Sequence, residues 1–254
     1  MKKIFLYILA GSLCFSACKK DDDVQTYQEP SDINTQNSYD DQAIKKYMDE
    51  NYLDTQGNIK AFSATDTIDD HEKKLSELNY KTLPSGTIYI VRDGAQPAED
   101  QGKTIGDTDV IKIMGRSYAC LAGDNNGTVS FINTLTFLNT INGSGIPLVD
   151  PMYYYVKQQV IDAATTTTTA AKQPGYYQIP GFREALQKFK AFDNLSGGNP
   201  YNLQGVIIVP SRAAFARNPH YPYFNESYRN RTFIFNFQIY GRSDRPADEV
   251  QKPQ

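Results

Sequence analysis

The fold is decided by the stretch Thr232-Phe233-Ile234-Phe235-Asn236-Phe237-Gln238-Ile239-Tyr240, which lies near the end of a chain of 254 residues. Large apolar side chains alternate along it with a period of two, which predicts a β-strand with one strongly apolar face. That face consists of Phe233, Phe235, Phe237 and Ile239. We therefore expect this strand to lie in the sheet that forms the core.

Four other stretches have the apolar, β-branched composition of strands, and turn residues bound several of them. They are Thr87–Val91, Asp109–Met114 with Gly115 closing it, Phe131–Leu138 after the turn Asn125-Asn126-Gly127, and Val206–Val209. Proline suits the first position of a helix, and Pro180 opens a pattern that predicts three helical turns. Its apolar stripe is Phe182, Ala185, Leu186, Phe189 and Phe192. Several strands and one strong helix predict an α+β fold.

The remaining chain divides by composition. Residues 18–37 are polar and predict a disordered tether, and residues 38–84 predict a helical extension that begins at a Ser38–Asp41 capping signal. Residues 85–241 form the predicted main domain, with an irregular insert at about 139–175 and a polar tail at 242–254. A run of five threonines within the insert, Thr165–Thr169, predicts a mobile loop.

The first 17 residues have the features of an export signal. Lys2 and Lys3 precede the apolar run 4–10, and Cys18 follows small residues and precedes the polar run 19–23. This arrangement resembles the lipobox of bacterial lipoproteins, which implies cleavage before Cys18 and a lipid on its thiol. The apolar run is shorter than the roughly 20 residues that a spanning helix needs. We expect a lipid-anchored protein of the bacterial cell envelope, on the periplasmic or surface face of the outer membrane; an ordinary secretory signal is the alternative.

Composition narrows the classes of partner and cofactor. A formal net charge of −3 disfavours nucleic-acid binding. The lipid anchor is the only membrane contact that we expect. His71 lies in a charged stretch whose spacing matches no metal-ligand pattern, and we expect no metal and no cofactor. Cys120 is either a reactive thiol or, as we favour, a small buried apolar residue.

Several strings, in this order along the chain, resemble the FKBP-type peptidyl-prolyl isomerases. They are Gly86–Val91, Gly106–Lys112, Ile179–Leu186, Val209–Ala216 and Thr232–Phe237. The resemblance covers roughly residues 39–241 and implies a curved antiparallel sheet around one short helix. It also implies a catalytic site for proline-containing peptides or unfolded segments, formed by Ile179 with its amide, Phe182, Phe215 and Phe235.

Such a site needs no nucleophile. Rotation about a peptide bond must cross about 18–20 kcal/mol because planarity carries resonance energy. A dry aromatic pocket that holds the ring, with hydrogen bonds to the flanking carbonyl groups, favours the twisted amide.

The chain departs from the family at the polar positions. Phe215 replaces a tyrosine whose hydroxyl bonds substrate, Phe182 replaces a tryptophan, and Ile113 replaces another tyrosine. Ala216 stands in place of a glycine, and the stretch Thr128 to Ile132 lacks the expected acid. These losses predict weak or absent isomerase activity.

Two functions stay open from the sequence: a weak folding helper, or a non-catalytic module that binds a peptide or partner in the same aromatic groove. A third interpretation is that Phe182, Phe215 and Phe235 are simply core. The loop after Phe215 carries further aromatic residues that either extend or plug the groove: Tyr221, Tyr223, Phe224 and Tyr228.

Overall fold

A computed structural model describes residues 27–142, 145–164 and 169–252. Its helices in these ranges are α1 Ile33–Glu50, α2 Gln158–Asp162 and α3 Pro180–Leu186. Its strands are β1 Asn51–Leu53, β2 Ile59–Ala61, β3 Tyr80–Thr82, β4 Ile88–Val91, β5 Lys103–Thr104, β6 Val110–Asn125, β7 Thr128–Asn139, β8 Leu148–Val149, β9 Lys190–Ala191, β10 Gly205–Val209 and β11 Arg231–Ser243. The predicted α+β class is confirmed.

The main sheet has the strand order β3-β4-β10-β11-β6-β7, and β8 pairs with the beginning of β6. Every pair in it is antiparallel. The alternating strand β11 lies inside the sheet, where Phe235 is opposite Ile207 of β10 and Ser117 of β6.

Alternation along β11 divides the sheet into two faces. Phe233, Phe235 and Phe237 point to the face that α3 covers, which we call the α3 face. Ile234 points to the opposite α1 face, where it packs with Ile44 and Met48 of α1. The apolar face predicted from the sequence is therefore confirmed, and the sheet is covered on both sides.

Strand β6 is longer than the sequence predicted, because it does not end at Gly115. A side chain there would collide with the Asn236 carbonyl oxygen and lie 3.0 Å from Phe237 Cα. Glycine at this position permits close pairing with β11. The turn after β6 is confirmed: Asn126 and Gly127 both have positive φ angles, 53° and 85°, as tight hairpin turns require.

Helix α3 is shorter than predicted and ends at Leu186 rather than reaching Phe192. Hydrogen bonds from Lys188 N to the Ala185 carbonyl and from Phe189 N to the Leu186 carbonyl, both 3.0 Å, tighten the chain after it. The helix begins in close contact with the sheet, because a Cβ on Gly181 would lie 2.7 Å from Val209 Cγ1.

Helix α1 begins earlier than predicted. Asp32 is its N-cap and accepts a 2.9 Å hydrogen bond from Asn34 N, so Ser38 and Asp41 lie inside the helix. The predicted tether is therefore wrong for residues 27–37. Glu29 already binds Arg229 and Asn230, with N–O distances of 2.5 and 2.7 Å. Cys18 and the predicted signal lie outside the described residues.

The predicted irregular insert takes part in the core. Tyr154 and Tyr155 are buried, and α2 follows them. The tail 242–252 packs against the insert, where the fully buried Arg245 side chain donates a 2.8 Å hydrogen bond to Asp150. Residues 165–168 of the threonine run lie outside the described ranges. No helix in the described ranges has the length and apolarity to cross a bilayer.

Candidate functional site

The four residues predicted for the site lie in one buried cluster on the α3 face. Phe182 comes from α3, Phe235 from the middle of β11, Ile179 from the residue before α3, and Phe215 from the segment after β10. None is more than 2% exposed to solvent. The structure therefore brings them into one cluster, but as interior residues rather than as the walls of an open groove.

Phe182 and Phe235 form the centre of this cluster. Their ring centroids are 4.2 Å apart, and the planes are tilted by 35°. Phe182 reaches β11 because Pro180 fixes the first turn of α3 and Gly181 lets the helix approach the sheet closely. The two rings thus form an aromatic pair where α3 meets the sheet, which we call the aromatic floor.

Tyr153, from the insert, occupies the space in front of this floor. Its ring stacks on Phe235 at 5.8 Å and meets Phe182 edge-on at 5.6 Å. Its carbonyl oxygen accepts a 2.8 Å hydrogen bond from Ile179 N. Tyr153 thus packs on the aromatic floor and also binds the Ile179 amide, the two features expected to bind a substrate.

Segment 150–155 is fixed on both sides of Tyr153. The amide nitrogens of Tyr154 and Tyr155 both bond the Pro151 carbonyl, and the Tyr154 hydroxyl donates to the Gly106 carbonyl. The Arg245 guanidinium lies 4.0 Å from the centroid of the Tyr155 ring. These contacts make Tyr153 a built-in occupant of the site.

The Tyr153 hydroxyl is buried without a hydrogen-bond partner in the described residues. Burial raises the pKa of this phenol, so the group is neutral. An unpaired buried hydroxyl lowers stability by about 1–3 kcal/mol. Tyr153 therefore fills the site at an energetic disadvantage that phenylalanine would not have.

Phe215 lies further along the cluster. Its ring contacts Phe233 at 5.9 Å and stacks on His220 at 4.9 Å, whereas Phe233 in turn stacks on Phe235 at 6.0 Å. Phe233 therefore connects Phe215 to the aromatic floor. Phe215 belongs to the same core, but it supports the site from a distance.

Two residues that close the cluster, Phe137 and Tyr153, were not among the site residues predicted from the sequence. Phe137 on β7 makes edge-on contacts with Tyr153 at 5.2 Å and with Phe235 at 6.1 Å. Phe137 lies within the predicted strand Phe131–Leu138, but a register shift in the pairing of β6 with β7 places it on the α3 face, whereas Phe131 lies on the α1 face. Nothing local in Tyr153–Tyr155 shows which ring packs against the sheet.

The loop after Phe215 plugs the cluster with some of its aromatic residues and exposes others. Tyr223 and Tyr228 are buried, and their hydroxyls donate to the carbonyls of Tyr177 and Tyr223 at 2.7 and 2.8 Å. Burial raises the pKa of Tyr228 to about 12. Phe224, by contrast, is 68% exposed and has a φ of 58°, which is strained for a bulky residue.

The reactive groups considered from the sequence lie away from this cluster. Cys120 is buried on the α1 face, where burial raises the pKa of its thiol to about 11. The interpretation of Cys120 as a buried apolar residue is confirmed. No group of three or more His, Cys, Asp or Glu side chains in the described ranges is placed to hold a metal ion.

Comparison of the chain with protein-family models finds no match, and comparison with curated proteins finds none either.

Proposed function

We propose that this chain is a lipid-anchored, FKBP-like protein of the bacterial cell envelope with weak or absent peptidyl-prolyl isomerase activity. The anchor rests on the lipobox-like sequence that ends at Cys18. Support for the FKBP-like domain comes from the string resemblances together with a short helix that packs on an antiparallel sheet. Phe182 and Phe235 supply the aromatic floor of the implied site.

One observation carries the weak or absent activity: Tyr153 occupies the floor and its carbonyl oxygen takes the Ile179 amide at 2.8 Å. A proline ring bound there would have to displace a side chain that is 4% exposed. The missing tyrosine hydroxyl at Phe215 acts in the same direction, because a lost hydrogen bond weakens binding of the twisted amide by about 0.5–1.5 kcal/mol.

The test is a protease-coupled isomerisation assay on the full chain, with an active isomerase as positive control. We expect a rate at or near the uncatalysed one, and Phe215→Tyr alone should leave it there because Tyr153 still fills the site. Tyr153→Ala should raise binding of a proline-containing peptide. A parent chain as fast as the control enzyme would disprove the proposal.

The exposed loop favours a second candidate, a non-catalytic module that binds proline-containing or unfolded peptide segments. Phe224 and Tyr221 lie on the surface beside the closed cluster, with Phe224 6.1 Å from Phe137 and Tyr221 5.5 Å from Tyr177. Exposed aromatic rings are the surfaces on which proline-rich segments dock.

This candidate is tested by titrating the full chain with a proline-rich peptide. Phe224→Ala should weaken binding, whereas Ile68→Ala, which removes an even more exposed apolar side chain from another surface, should not. Equal effects of the two substitutions would exclude a specific site on the loop.

A further inference from the structure

Two adjoining cavities lie between α1 and the sheet on the α1 face. The larger has a volume of about 360 Å³ and the smaller about 170 Å³. Tyr47 of α1 and Tyr118 of β6 line both cavities, so the two are neighbours, and together we call them the Arg116 cleft. This cleft is on the side of the sheet opposite the aromatic cluster.

Arg116 lines the smaller cavity, and its guanidinium is unused. Within the described residues it forms no ion pair and donates no side-chain hydrogen bond, and its Nε is buried without a partner. Buried donors almost always have a partner, so an unpaired arginine nitrogen calls for a ligand, water or ion. Of the side chains that line this cavity, Arg116 carries the only charge at neutral pH.

The amide side chains around Arg116 are already engaged. Asn51 donates to the Tyr47 carbonyl at 2.7 Å, Asn58 donates to Asp54 at 2.9 Å, and Asn236 donates to the Gly57 carbonyl at 2.9 Å. These bonds hold the walls in place without using the guanidinium. The smaller cavity is therefore a fixed polar site with an unpaired positive charge.

The larger cavity is mainly apolar. Phe131, Ile234 and Cys120 line it, and the Phe131 ring packs edge-on against Tyr47 at 5.9 Å. Lys46 and Glu50 at its rim pair with each other, so they add no net charge. A molecule that occupies both cavities meets apolar walls at one end and a cation at the other.

We propose that the Arg116 cleft binds an amphipathic carboxylate, with the carboxylate on the Arg116 guanidinium and the apolar chain along Phe131 and Ile234. A guanidinium presents a planar fork of donors that matches two carboxylate oxygens. The hydroxyls of Tyr47 and Tyr118, which donate no hydrogen bond in the described residues, add two donors beside it. This proposal does not depend on the isomerase resemblance.

The experiment is calorimetric titration of the full chain with octanoate, 1-octanol and acetate. Octanoate has both parts of the proposed ligand, octanol has only the apolar part, and acetate has only the carboxylate. We expect octanoate to bind at least about tenfold more tightly than either of the others, because each lacks one set of contacts.

Variants then assign the binding to the cleft. Arg116→Gln should weaken octanoate binding about tenfold or more, since it removes a charge-assisted hydrogen bond. Arg242→Gln, at a distant site where the arginine pairs with Asp109 and Asp244, should leave binding unchanged. Ser130→Leu, which narrows the larger cavity, should weaken octanoate but not acetate.

Thermal unfolding separates a ligand site from a structural role. Because Arg116 has no partner among the described residues, Arg116→Gln should unfold at the parent temperature or above it. A strongly destabilised Arg116→Gln variant, equal binding of octanol and octanoate, equal binding of acetate and octanoate, or no binding of octanoate would each overturn the proposal.

Discussion

The two faces of the main sheet differ in how completely the chain fills them. On the α3 face, the seven-residue α3 is supplemented by rings from the insert and the late loop, which leave Phe182 and Phe235 buried. On the α1 face, the main cover is one 18-residue helix, and the Arg116 cleft remains beside it. A helix is about 10 Å wide and strands are about 4.8 Å apart, so one helix covers only two or three strands.

This difference shows that the aromatic cluster implied by the resemblance is closed, whereas an open cavity lies against the opposite face of the sheet. The aromatic site implied by the resemblance is occupied by Tyr153, whereas the unpaired charge lies on the opposite face at Arg116. The short stretches that resemble the isomerases predict which residues pack together. Whether the resulting cluster is open to solvent depends on other segments of the chain, such as the insert.

The largest expected effect compares two neighbours on β11 that point to opposite faces. Phe235→Ala should lower the free energy of unfolding by about 3–5 kcal/mol, because it leaves a cavity in a filled cluster. Ile234→Ala should lower it by only about 2 kcal/mol, because Ile234 already borders the cleft. Urea denaturation of both variants measures the difference, and a larger loss from Ile234→Ala would contradict the comparison.

The next largest loss of stability is expected when the contact between Arg245 of the tail and Asp150 of the insert is removed. Arg245→Ala leaves the partly buried Asp150 carboxylate without its main partner and should lower stability by about 3 kcal/mol. Lys252→Ala is the control, since its ion pair with Asp162 of the insert is exposed and such pairs contribute about 0–1 kcal/mol. Equal changes in the urea midpoint for the two variants would show that the tail does not hold the insert.

A smaller change in the unfolding free energy, of opposite sign, is expected at Tyr153. Tyr153→Phe should raise the unfolding free energy by about 1 kcal/mol, because it removes a buried hydroxyl that has no partner in the described part of the chain. The matched control is Tyr154→Phe, which loses the hydrogen bond to the Gly106 carbonyl and should destabilise by about 1 kcal/mol. Thermal and urea unfolding of the two variants measure both changes. If both substitutions destabilise the protein, the buried Tyr153 hydroxyl is not an unfavourable group.

The smallest effect concerns pH on the α1 face. Burial raises the pKa of Asp40 above its usual value of 3.8, although Ser211 N and Gln36 donate to it at 2.9 and 3.0 Å. The folded state therefore holds this proton more tightly than the unfolded state. The resulting stabilisation is complete below pH 3.8 and is lost as the pH rises through the folded pKa.

Asp40→Asn removes this titration. Relative to the parent, the variant should gain stability as the pH rises from below 3.8 towards neutrality, and the difference should then level off. Unfolding free energies across this range measure it, with Asp244→Asn at an exposed site as control. If the stability of Asp40→Asn relative to the parent instead falls as the pH rises, the pKa of Asp40 is not raised in the folded state.

The sequence alone determined the elements whose side chains follow a local period. The alternation of Phe233, Phe235 and Phe237 specified β11 and its buried face, and Asn126-Gly127 specified the hairpin turn. These features depend on backbone geometry and on burial of one face, both of which are encoded within a few residues. The α+β class follows from them.

Element ends were less predictable, because they depend on contacts distant in sequence. Pairing with β11 carries β6 through Gly115, and Asp32 caps α1 before the Ser38 signal. The predicted start of α1 used a local capping pattern that also occurs inside helices. The end of α3 at Leu186 reflects the chain's turn into β9, which pairs with β5.

Only the tertiary structure decided whether the site is open. Ile179, Phe182 and Phe235 were identified from short strings, but the occupant Tyr153 comes from an insert about 26 residues before α3. Likewise, nothing near Arg116 in sequence shows that its guanidinium lacks a partner among the described residues, because residues of α1, β2 and β11 line the same cavity. Local periodicity determines which face of an element is buried, whereas the fit between distant segments determines what fills the space above that face.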